Sequence, residues 1–104
     1  MNRTQASQCR RIAERYGLRN QEQQAVSELS ELLHVLTRRP NQRGESWTEN
    51  HKETWSESLL DEMADTCIMI EQLRTLHNVS KEALNEKINF KLNRQLDRIG
   101  TEEK

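Results

Sequence analysis

Apolar residues recur along this chain at helical spacing, and no segment shows the period-two alternation of a half-buried strand. Residues 4–16 read as a short polar helix that Gly17 is placed to end. Residues 20–38 read as a second, with Asn20 as N-cap and Gln23 three residues on, the spacing of a capping box, and Pro40 just beyond the end. Its Ala25, Val26, Leu29, Leu32, Leu33 and Leu36 form one stripe. Thr54 and Glu57 repeat the capping pattern at the start of a third helix, whose stripe is Leu59, Leu60, Met63, Cys67, Ile70 and Leu73, ending near His77. Ser80 then caps a fourth helix carrying Leu84, Ile88, Leu92, Leu96 and Ile99 to about Gly100. The pattern predicts one all-α domain over residues 1–104, built as a four-helix bundle. Residues 39–53, "RPNQRGESWTENHKE", make a connection longer than bundles normally use, and loops of that length tend to be functional or disordered.

Composition adds one demand to this picture. A chain of 104 residues with 33% hydrophobic and 32% charged residues has a thin core, because small domains bury a smaller share of their surface. The helical spacing of its few apolar residues argues against disorder, so the missing burial is expected from self-association. Sixteen basic and seventeen acidic residues nearly cancel, which gives no electrostatic case for nucleic acid or an anionic membrane as partner. The longest strongly apolar run, "CIMI", is far short of the roughly 20 residues that span a bilayer, and the polar start lacks an apolar signal core. A cytoplasmic protein is expected. Cys9 and Cys67 lack metal or redox spacing, and Cys67, on the face of Met63 and Ile70, is read as a reduced core thiol.

Within this polar chain, acids stand beside the apolar stripes. Glu28 and Glu31 are three apart, as are Glu62 and Asp65, so each pair lies on one side of its helix. With 17 acids in the chain such pairs arise by chance, and position has to decide. At about 100° per residue, Glu28 and Glu62 each sit roughly 100° from the centre of their stripes. Antiparallel packing of the two helices would bring all four acids to one edge of a shared core. Carboxylates crowded near a low-dielectric core raise one another's pKa unless a cation compensates, and a hard divalent ion with oxygen ligands meets that need. The competing reading is that the acids solvate helix edges and pair with Arg or Lys.

"SELSE", residues 27–31, followed by "DEMAD", residues 61–65, resembles the signature of the MazG-like all-α nucleoside triphosphate pyrophosphohydrolases, an E-E-x-x-E segment followed by E-x-x-D. The resemblance covers about residues 21–98 and includes a basic final helix, "KINFKLNR". It implies that Glu28, Glu31, Glu62 and Asp65 hold Mg²⁺, with Mn²⁺ as a substitute. It further implies hydrolysis of a (d)NTP to the monophosphate and pyrophosphate, with Glu31 or Glu28 orienting or deprotonating the water. A homodimer or dimer of dimers, with sites lined from more than one subunit, is also implied. Two features depart from the family pattern: Ser27 stands at its leading acid position, and the segment between Glu31 and Glu62 is long.

Lys87, Lys91, Arg94 and Arg98 form a basic stripe on the last helix, placed either to clamp phosphates or simply to be solvated. Likeness to the family's basic segment favours Lys87, Lys91 and Asn93, with Arg94 behind them. Trp47 and Trp55 are candidates to stack on a base or to plug an apolar gap, and His51 reads as an ordinary loop histidine. "ELLH", residues 31–34, has the Glu-x-x-His form of di-iron bundles but lacks a second copy. The alternative class of function is a non-catalytic helical module that uses its stripes for homo-oligomeric assembly.

Overall fold

The computed structural model describes residues 1–39 and 49–103, and of residues 49–53 the backbone alone. Trp47 and the side chain of His51 lie outside the described residues. Four helices follow one another: α1 (Arg3–Tyr16), α2 (Leu18–Thr37), α3 (Glu49–Leu76) and α4 (Lys81–Glu102). No strand occurs among the described residues.

Local chemistry accounts for most of the boundaries. Asn2 and Gln5 form a complete capping box at the start of α1: the Gln5 N–H donates to Asn2 Oδ1 at 2.8 Å and the Asn2 N–H donates to Gln5 Oε1 at 2.9 Å. Gly17, with φ +86°, ends α1 and begins α2 with no linker, a backbone conformation open to glycine at little cost. The second helix therefore starts ahead of Asn20, which is not its N-cap. Asn20 Nδ2 donates instead to the Tyr16 carbonyl at 2.8 Å, satisfying an end group of α1. Similarly, α3 begins at Glu49, so Thr54 lies inside the helix rather than at its cap. Its other end carries a Schellman arrangement: Asn78 has φ +57°, and the N–H groups of Asn78 and Val79 donate to the carbonyls of Thr75 and Arg74. Ser80 caps α4 as expected, its Oγ accepting from the Ala83 N–H at 3.0 Å, and α4 runs past Gly100 to Glu102.

Helices α2 and α3 form an antiparallel hairpin, with α1 packed against α3. At one end of the hairpin the side-chain amide of Gln21 donates to that of Gln72, both buried, and His77 meets Glu22 at 3.3 Å. At the other, Trp55 Nε1 donates to the Val35 carbonyl at 2.8 Å, under the guanidinium of Arg39. Trp55 is thus a fixed structural plug. Among the described residues the buried apolar ones are few: Cys9, Ala13, Ala25 and Met69.

The expected core stripes are only partly buried. Leu32 and Leu59 are half-buried, but Val26, Leu29, Leu33 and Leu36 of α2 and Leu60, Met63, Cys67 and Ile70 of α3 are exposed. Cys67 is therefore not a core thiol, and Cys9 is the buried one. The physical reason is that each stripe is wider than one helix–helix contact. The α2 residues that face α3 are Gln21, Ala25, Glu28, Leu32 and Val35, centred roughly 80° around the helix from the stripe's midline. Helix α4 contributes no buried residue, and Ile88, Leu92, Leu96 and Ile99 are exposed. One chain thus packs three helices and leaves the fourth nearly unpartnered.

The Gln21–Gln72 pair invites a direct test. Gln72→Leu alone strands the amide of Gln21 and is expected to lower unfolding free energy by about 1–3 kcal/mol. The double variant Gln21→Leu/Gln72→Leu should recover most of that loss, as urea denaturation would measure.

Candidate metal centre

The antiparallel register that joins Gln21 to Gln72 and Val35 to Trp55 places Glu28 opposite the segment from Glu62 to Asp65. Glu28, Glu62 and Asp65, all half-buried, bring one carboxylate oxygen each within 4.8 Å of one another. Glu31, one helical turn beyond Glu28, stands beside Glu62 within hydrogen-bonding reach of a protonated carboxyl, and Glu28 stands in the same relation to Asp65. Gln24 Nε2 donates to Glu28 Oε1 at 2.8 Å, an i,i+4 contact legible in helical spacing but not anticipated. The second oxygens of Glu28 and Glu62 are buried without any hydrogen-bond partner.

Partial burial, and then the neighbouring charges of Glu31, Asp65 and Glu28, push the Glu62 carboxyl above its ordinary pKa. Asp65 is pushed up in the same way, by desolvation first and then by Glu28 and Asp61. No cation of the protein faces these groups to offset them, among the described ion pairs. Buried acceptor oxygens lacking donors, clustered at ligand spacing and all of hard carboxylate type, fit a small hard divalent cation. They do not fit a thiolate-loving or imidazole-bound metal. His34 is exposed and is not part of the cluster, which removes the Glu-x-x-His pattern as a di-iron signal.

The basic candidates lie elsewhere. Lys87, Lys91, Asn93 and Arg94 are exposed on α4, which does not pack along α2 or α3, so one chain alone does not bring them to the acids. Sequence reasoning overlooked Phe90, which lies between the cations of Lys87 and Arg94 at 5.8 and 6.0 Å from its ring. Their i,i+3 and i,i+4 spacing was the available signal. A groove of about 650 Å³ runs between α1 and Ile68, lined by Met1, Cys9, Ile12 and Tyr16 among others. It has no carboxylate in its lining and is separate from the acidic cluster.

No protein-family model matches the chain, and neither a curated protein nor a solved structure does.

The raised carboxyls set a pH dependence. A folded chain whose Glu62 and Asp65 hold protons more tightly than the unfolded chain gains stability below the ordinary carboxylate range and loses it as pH rises through the raised values. Without divalent ions, the melting temperature is expected to fall as pH rises above the ordinary carboxylate range of about pH 4–4.5. Glu62→Gln should flatten that slope in thermal denaturation followed by circular dichroism; an unchanged slope would mean the acids are independently solvated.

Proposed function

We propose that the chain is a Mg²⁺-dependent nucleoside triphosphate pyrophosphohydrolase of the MazG-like kind, cleaving a (d)NTP to the monophosphate and pyrophosphate. The observation that carries this reading is the meeting of Glu28, Glu62 and Asp65 across α2 and α3, with Glu31 at its edge and two carboxylate oxygens left without donors. Glu28, Glu31, Glu62 and Asp65 are the residues that would hold Mg²⁺, or Mn²⁺ in its place. Bound there, the cation supplies charge neutralisation for a triphosphate and acidifies a water. Hydrolysis adds the water oxygen to the α-phosphorus, breaks the bond between that phosphorus and the oxygen bridging to the β-phosphorus, and releases pyrophosphate.

Glu31 is the residue assigned to receive the water's proton, with Glu28 as the other carboxylate at hand. Lys87, Lys91, Asn93 and Arg94 are assigned to the phosphates and Trp47 to the base, on the resemblance alone. The exposed face of α4 suits a role completed between subunits, in a homodimer or dimer of dimers. A cytoplasmic setting belongs to the same reading, and no described helix is long and apolar enough to cross a membrane.

A second reading has its own support. The breadth of exposed apolar surface, together with the distance between acids and basic helix, favours a non-catalytic homo-oligomeric interaction module. Hydrolysis decides between the two. A panel of NTPs and dNTPs with Mg²⁺ is expected to release pyrophosphate rather than orthophosphate, and Glu62→Gln should cut the rate at least about 100-fold, the upper range for loss of even an outer metal partner. Millimolar Mg²⁺ should also raise the melting temperature of the native chain by linkage, and not that of Glu62→Gln. No release from any nucleotide and no thermal shift would leave the module.

A further inference from the structure

The end of the hairpin near Gln72 carries a second charged cluster, opposite in sign to the first. Helix α1 presents Arg3, Ser7 and Arg10 on one face, at i, i+4 and i+7. That face meets Glu71, Arg74 and Thr75 in the last turns of α3, beside Lys81, the first residue of α4. Together they line a cleft of about 300 Å³ in which four cations stand against one acid. Arg74 is nine residues beyond Asp65, about 14 Å along α3, so the cleft and the carboxylate cluster are separate places.

The acid is already committed. Glu71 accepts from Arg74 Nε at 3.1 Å and from its Nη2 as well, while Arg74 Nη1 donates to the Val79 carbonyl at 2.7 Å and ties the pair to the turn into α4. The Arg74 guanidinium, with Lys81 adding to it, holds the Glu71 carboxyl below its ordinary range, so this acid stays ionised and paired. Arg3, Arg10 and Lys81 are exposed and enter no ion pair among the described residues. Glu82, the other acid near Arg74, does not line the cleft. Helix chemistry does not account for the cations either. Arg3 and Lys81 each open a helix, where the macrodipole favours anions and disfavours cations, and the first turn of α1 contains no acid. An anion seated between them turns both unfavourable placements into favourable ones.

We propose that this cleft binds a small phosphomonoester, its phosphoryl oxygens on Arg3, Arg10 and Lys81 and its organic body in the adjoining cleft of about 220 Å³ that Leu84, Asn85 and Ile88 line across the Glu71–Arg74 pair. A phosphoryl dianion matches what the cleft offers: forked guanidinium donors, the Ser7 hydroxyl as a neutral one, and a positive charge that Glu71 does not cancel. The volumes suit a small molecule rather than a length of polymer. Neither the metal centre nor hydrolysis enters into this binding, so the two fail separately.

Thermal denaturation and calorimetric titration in EDTA at constant ionic strength test it. Adenosine 5′-monophosphate and glucose 6-phosphate, beside inorganic phosphate, should each raise the melting temperature saturably, and adenosine should not. The tighter of the two esters tells a nucleotide from a sugar phosphate. Arg3→Gln/Arg10→Gln should keep its helicity, both side chains being exposed, and bind at least about 10-fold more weakly. Glu62→Gln should bind as the native chain does. The proposal is overturned if neither ester binds, if the double variant binds undiminished, or if Glu62→Gln abolishes binding and so moves it to the carboxylate cluster. A response to a short DNA duplex alone overturns it as well, by making the cations a macromolecular surface. Should the double variant lose helicity, Lys81→Gln decides in its place.

Discussion

Everything in this structure turns on three carboxylates held inside a helix–helix contact. Glu28, Glu62 and Asp65 occupy positions that apolar side chains would normally take between α2 and α3, and they repel one another there. The hairpin closes over them because its ends are fixed by directional bonds: the amide pair of Gln21 and Gln72 at one end, the Trp55 indole on the Val35 carbonyl at the other. Between these anchors Ala25, Leu32 and Met69 supply modest apolar contact. Helix α1 braces α3 by burying Cys9 and Ala13, which leaves the acidic half of the hairpin free of any helix laid across it. The protein's own donors leave the second oxygens of Glu28 and Glu62 unmatched.

The acids enter the contact only because the helices meet along one margin of their apolar stripes. Rotating α2 by roughly 80° would set Leu29 and Leu36 against α3 and turn Glu28 towards water, a better arrangement for an isolated hairpin. The stripes are too broad to serve a single interface, so the observed rotation seats the acids in the contact and leaves the outer half of each stripe exposed. Exposure of the outer half-stripes and retention of the acids are thus two consequences of one helix orientation.

Much of this was legible in the sequence, and the illegible part has a common cause. Helix number and type follow from periodicity, and the paired acids follow from an i,i+3 spacing at matching offsets from the two stripes. Boundaries were read less well where capping residues have a second use. Asn20 looks like an N-cap, yet Gly17 makes the turn and Asn20 closes α1 from inside α2. Burial was misread for Leu29, Leu33, Met63 and Cys67, because hydrophobic periodicity reports which face avoids water, not which partner covers it. The amide pair that sets the register was invisible, since glutamines at positions 21 and 72 of a polar chain carry no signal until the helices meet.

Helix α4 shows the same limit from the other side. Twenty-two residues with a strong cap at Ser80 and a stripe from Ile88 to Ile99 form a helix whose every side chain beyond Leu84 is exposed. Lone helices of this length are marginal in water, and tertiary burial normally supplies most of their stability. Its basic flank, with Phe90 between Lys87 and Arg94, is arranged by local spacing alone. One chain keeps these cations away from the acids of α2 and α3, because α4 packs along neither helix.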